Sequence, residues 1–225
     1  AGVEAFNKKI IAASPTVYDM AAYPKTLSGK TVAAYVNTHT DLSDELYREG
    51  KLVSDNYKNI LRSQTNAAEI PADVTVRYGV TVRRANLRNL PTGEGLFFYA
   101  SDRNFDALQE TALDPGEAVA ILHTSTNGYF YYVQAYNYRG WLSKFDVAET
   151  DRSTWLRYAE PKNFLTVVAK DYTLKADGAQ VLFQQGARLQ LADKKASAYT
   201  VKVPVRTKEG KLQEEKVVLA ANASL

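Results

Sequence analysis

From Val74 onward the apolar residues come in short bursts of β-branched and aromatic side chains, each closed by a turn signal. Pro91-Thr92-Gly93, Asp114-Pro115-Gly116, Asn127-Gly128, Ala176-Asp177-Gly178 and Lys208-Glu209-Gly210-Lys211 divide them. Such residues suit a pleated surface, while Gly, Asn, Asp and Pro supply the backbone angles of tight turns. The pattern therefore demands short antiparallel strands. Val74-Thr75-Val76 and Val80-Thr81-Val82 alternate with period two, and Ala85 and Leu87 have the opposite parity. That switch predicts a bulge or sharp bend near Arg83-Arg84. Residues 118–122 form a strand, Asn127-Gly128 a hairpin, and the aromatic stretch beyond it the returning strand. Arg139-Gly140-Trp141-Leu142 opens another. Further strands are expected at 164–169, 180–183, 187–191, 198–205 and 216–219. Strands at this spacing predict a mainly β chain with two small barrels of similar size.

The first seventy residues differ. Val32, Tyr35 and Val36 are spaced i, i+3, i+4 behind Ser28, a natural N-cap. Val53, Tyr57, Ile60 and Leu61 fall at i, i+4, i+7 and i+8, a one-faced stripe. Between them Asp41-Leu42-Ser43-Asp44-Glu45-Leu46-Tyr47-Arg48-Glu49-Gly50 offers caps and ends in a helix stop. Helices this short are expected to dock onto the strands. The expected division is residues 1–70, a helical segment; 71–160, a first barrel; and 161–225, a second.

Composition excludes several chemistries. With 45% apolar and 24% charged residues the 225-residue chain has the make-up of a globular protein. There is no cysteine, so thiol nucleophiles, disulfides and zinc–thiolate sites are ruled out within it. No apolar run approaches the roughly 20 residues of a membrane-spanning helix. A net charge of +3 is too small to argue for nucleic acid. Ser28-Gly29-Lys30-Thr31 resembles the end of a phosphate loop, but Pro24 stands where its first Gly belongs, and a helix cap explains Ser28 better. His39 and His123 are isolated and lack a partner at metal-ligand spacing, so no metal or cofactor is expected. Arg77, Arg83, Arg84 and Arg88 make a basic stretch that a single-strand nucleic-acid binder would use together with aromatic rings.

Tyr129 to Trp141 packs seven aromatic rings into thirteen positions. Phe130, Tyr132 and Tyr136 share one parity, and Tyr129, Tyr131 and Val133 the other. In a small barrel one face is core, so half of these rings belong there and half are exposed or covered by another domain.

Arg84-Ala85-Asn86-Leu87-Arg88-Asn89-Leu90-Pro91-Thr92 resembles the opening strand of bacterial SH3 domains. Leu113-Asp114-Pro115-Gly116-Glu117 is similar to their next element, and Tyr132-Val133 with Gly140-Trp141-Leu142 to their close. The wider context resembles the helical segment and two SH3 domains of NlpC-type cell-wall peptidases. It runs from the lead-in Ser14-Pro15-Thr16-Val17-Tyr18-Asp19-Met20, through the loop at 102–113, to the strands after Phe164.

The resemblance implies the following. The fold would be two SH3-like β-barrels behind an N-terminal α-helical segment. The chain would be the non-catalytic recognition and scaffold region of a bacterial cell-wall endopeptidase, located outside the cytoplasm with its export signal removed. Its partners would be a peptidoglycan stem peptide and a papain-like catalytic domain. Such a domain would begin where this chain stops, so the chain is either a piece of a longer protein or a relative that lost that domain. No catalytic residue is expected here. In the first barrel Asp106 or Glu110 would pair with a substrate amine, and Tyr136, Tyr138 and Trp141 would supply a contact surface. For the loop at 102–113 a plain solvated connection is the other reading. Alternatives of other classes are a free-standing wall-binding module and a nucleic-acid-binding barrel.

Overall fold

A computed structural model describes residues 2–38, 42, 44–221 and 224, the side chains of residues 4 and 11 apart. The N-terminal segment holds helix α1 (Gly2–Ala13), strand β1 (Thr26–Ser28), helix α2 (Gly29–Asn37), a hairpin of β2 (Tyr47–Arg48) and β3 (Lys51–Leu52), helix α3 (Asp55–Ser63) and strand β4 (Asp73–Thr75). Ser28 caps α2 as expected, its side chain accepting from the Thr31 amide at 3.1 Å. Gly29 does a different job from a phosphate loop. A Cβ there would lie 1.9 Å from the Pro71 carbonyl oxygen, so only glycine lets α2 start against the chain that leads into β4. The helix expected to end at Gly50 is replaced by the β2–β3 hairpin. Glu49 and Gly50 both have positive φ, 52° and 81°, the geometry that turns a two-residue hairpin. Asp41 and Ser43 of that stretch lie outside the described residues. In α3 the stripe holds for Leu61, but Ile60 faces solvent.

The middle of the chain is one antiparallel sheet of seven strands. They are β5 (Arg77–Thr81), β6 (Ala85–Arg88), β7 (Gln109–Leu113), β8 (Ala118–Thr124), β9 (Phe130–Gln134), β10 (Arg139–Ser143) and β11 (Val147–Thr150), in the order β11-β5-β8-β9-β10-β6-β7. The expected bend falls between β5 and β6. Strands β11 and β7 are the edges, so the sheet curls without closing through hydrogen bonds. Helix α4 (Arg152–Ala159), which the pattern did not suggest, follows.

Both faces of this sheet are covered. One encloses Ala85, Leu87, Val119, Ile121, Val133, Leu142 and Val147. The other carries Val80, Ala120, Leu122, Tyr132 and Trp141, packed with Val32 and Val36 of α2 and Trp155 and Tyr158 of α4. Thus the helices are the second half of the sheet's core. A smaller cluster joins Leu46, Val53 and Leu61 to Leu90, Leu96 and Leu108, tying α3 to the long β6–β7 connection.

Residues 164–220 build a further set: β12 (Phe164–Thr166), β13 (Asp171–Ala176), β14 (Ala179–Gln184), β15 (Arg188–Lys194), β16 (Ala198–Arg206) and β17 (Leu212–Ala220). A sheet β12-β15-β16-β17 and the hairpin β13-β14 enclose Val167, Phe183, Leu189, Val201 and Val203. The chain is mainly β, as its turn spacing demanded.

Candidate functional site

The aromatic strand divides in a way its parity alone did not reveal. Tyr132 and Trp141 are buried, with ring centroids 5.1 Å apart. The Tyr132 hydroxyl donates to the Tyr35 carbonyl at 2.8 Å. Their cover is α2 of the same chain, so the surface position expected for Trp141 is corrected: it is 0% exposed. Tyr131 lies against the opposite core and donates to Glu149 at 2.7 Å. Tyr129, Tyr136 and Tyr138 remain exposed.

Tyr136 and Tyr138 sit at the β9–β10 turn, and side chains brace that turn from several directions. Gln134, fully buried, donates its amide to the carbonyls of Ala135 (2.7 Å) and Tyr138 (3.1 Å). Arg139 Nε donates to Gln134 Oε1 at 2.6 Å, and its Nη2 donates to the Tyr18 hydroxyl at 2.7 Å. The guanidinium also stacks 3.4 Å above the Tyr35 ring, a cation–π contact. The Tyr18 amide donates to the Tyr136 carbonyl at 2.7 Å. The N-terminal segment therefore clamps the turn from outside.

Two clefts flank the turn. One, about 240 Å³, is lined by Glu110, Tyr138 and Arg139 with Thr16 and Tyr18. The other, about 230 Å³, is lined by Glu117, Asp114, Tyr136 and the chain near Gly186. Asn137 borders both, and its Oδ1 is buried with no hydrogen-bond partner among the described residues. Burial pushes the Glu117 carboxyl up, against the pull of Arg188. Burial likewise raises the Tyr136 hydroxyl, helped by Glu117. The arrangement presents aromatic faces, hydroxyls and carboxylates to a ligand. It holds no thiol nucleophile, since the chain has no cysteine.

Of the five expected contact residues, Glu110 and Tyr138 thus share one cleft, and Tyr136 lines the other, across the turn. Glu110 stands on β7 and not in a loop. Asp106 does not join them. Its carboxylate pairs with the buried Arg88 at 2.6 Å and accepts from the amides of Leu96 and Leu108, at 3.1 and 3.0 Å. This makes it the fastening of the β6–β7 connection. Sequence reading missed Gln134, Arg139, Tyr18 and Glu117. Arg139 adjoins the Gly140-Trp141 motif and was within reach; Tyr18 arrives from 121 positions away and left no local signal.

The basic stretch is neutralised residue by residue. Arg77 pairs with Glu149, Arg83 with Asp146, Arg84 with Asp114 and Arg88 with Asp106. His123 Nε2 lies 3.0 Å from the Asn66 carbonyl. His39 lies outside the described residues.

Within this fold, and taking in the β9–β10 turn, residues 96–143 match the SH3 domain of SH3b1 type. The likeness extends to a solved structure described as a novel NlpC/P60 endopeptidase from Photobacterium damselae subsp. piscicida. The two share 21% identity and a TM-score of 0.62, over 87% of this chain and 42% of that one. The chain therefore spans less than half the length of that structure's chain. No curated protein matches.

Proposed function

We propose that this chain is a non-catalytic recognition and scaffold region of a bacterial cell-wall peptidase. In this reading it divides near residues 70 and 160, acts outside the cytoplasm and packs on a cysteine peptidase domain that is not part of it. The observation that carries the reading is the fold likeness, which takes in most of this chain and less than half of an endopeptidase. The clamped β9–β10 turn supports it, because a recognition surface works best when its rings are held in place before the ligand arrives. Glu110 and the hydroxyls of Tyr136 and Tyr138 would meet the amine and backbone of a stem peptide. Among the described residues no helix is long and apolar enough to cross a membrane.

The test is titration of the chain with purified stem peptides, alongside sedimentation with sacculi. We expect Glu110→Gln and Tyr138→Ala to weaken peptide binding about tenfold each, the loss of roughly one hydrogen-bonded contact. Unchanged affinity in both variants would sink the assignment of this turn.

A further inference from the structure

A separate cleft, of about 380 Å³, lies where α4 meets the C-terminal strands. Its walls are joined to each other. Gln190 Nε2 donates to the Arg157 carbonyl at 3.0 Å, and the Leu191 amide donates to the Asn163 carbonyl at 3.0 Å. Gln190 stands opposite Lys202 in the β15–β16 register. Helix α4 is itself anchored by Trp155, which is fully buried and donates Nε1 to the Val119 carbonyl at 3.1 Å. The cleft is thus a fixed shape between two packed units, the kind of place where small ligands bind.

The lining has three kinds of chemistry. Leu156, Pro161 and Leu191 give an apolar floor, and Asn163 and Gln190 contribute amides. Arg157, Lys162 and Lys202 bring positive charge, and among the described lining residues only Glu160 carries a carboxylate. Behind the wall, Glu214 binds Arg157 at 3.1 Å and Lys202 at 2.9 Å, fixing both heads in position. Glu214 offsets part of that charge, yet Lys162 stays exposed at the rim.

We infer that this cleft is a binding site for a short peptide carrying a free C-terminal carboxylate. The carboxylate would meet Lys162 and Lys202, the amides of Asn163 and Gln190 would pair with the peptide backbone, and an aliphatic side chain would rest on Leu156, Pro161 and Leu191. The inference stands apart from the β9–β10 turn and does not depend on the function proposed there.

The experiment is an NMR titration of the full chain, using acetyl-Leu-Ala-Ala with a free carboxylate, the same peptide amidated, and inorganic phosphate. We expect saturable shifts confined to residues 156–163 and 190–202, and at least about tenfold weaker binding of the amide. Leu191→Trp, which fills the cleft, should abolish binding, and Lys162→Glu should weaken it at least about tenfold. Thermal melts check that each variant folds; if Leu191→Trp does not, Lys162→Glu alone decides. Equal binding of the amide, shifts elsewhere, wild-type affinity in the folded variants, or no saturation by about 5 mM would each overturn the site. Phosphate binding as tightly as the carboxylate peptide would overturn the peptide assignment.

Discussion

Trp141 is sealed between the sheet and α2, so Trp141→Ala should cost about 3–5 kcal/mol by urea denaturation. Three residues before it, Tyr138 is 40% exposed, and Tyr138→Ala should stay within about 0.5 kcal/mol of the parent. Asp106 makes the same point for charge. Its removal leaves the Arg88 guanidinium buried and unpaired, and Asp106→Ala should cost about 3–5 kcal/mol. A loss under about 1 kcal/mol would mean the pair behaves like a surface salt bridge. His123 provides a pH test. Burial holds its imidazole below the usual value, against the bond to Asn66, with Arg77 adding to the depression. The folded state thus binds its proton less readily than the unfolded one. Stability contributed by the neutral ring is present above about pH 6.5 and is lost as pH falls toward the lower folded value. His123→Gln should flatten that part of the stability profile; an unchanged slope would show the ring plays no part.

At the scale of elements, turn chemistry was the most legible part of the sequence. Asn127-Gly128, Asp114-Pro115-Gly116 and Ala176-Asp177-Gly178 all connect strands, because a backbone with positive φ leaves a local signature. The β2–β3 hairpin was missed since Glu49 supplies one of its positive φ angles and does not announce it. Helix α4 was missed because eight residues with only Trp155 and Tyr158 buried carry too little periodicity. For the site, exposure of Tyr138 was readable and burial of Trp141 was not. Which side of a strand is covered depends on α2, whose Tyr35 lies 97 positions before its partner Tyr132. Of the glycines, Gly29 leaves least room for a side chain, since an added Cβ would run into the Pro71 carbonyl. Gly29→Ala should destabilise the chain by more than about 1–3 kcal/mol, since backbone and not a flexible side chain is in the way. Circular dichroism melts would reveal it, and a neutral result would mean α2 can slide.

The whole molecule is held at its middle by Glu214, which accepts from Tyr158 at 3.1 Å as well as pairing with Arg157 and Lys202. Burial works to raise this carboxyl, and the bonds from Lys202, Arg157 and Tyr158 reverse that and leave it lowered. Nearby, the Glu149 amide donates to the Gly210 carbonyl at 2.8 Å. These links predict that the chain unfolds in one calorimetric transition and that Glu214→Ala splits it into two. A parent that already shows two transitions would mean the strands after Phe164 fold independently. The sheet covered on both faces carries a last consequence. With neither broad surface left to meet anything outside, new affinities can arise only at its rim, through the turns. A library that randomises the exposed positions 136 and 138 should yield folded binders of many kinds, whereas one that randomises 130–133 should yield mostly unfolded chains.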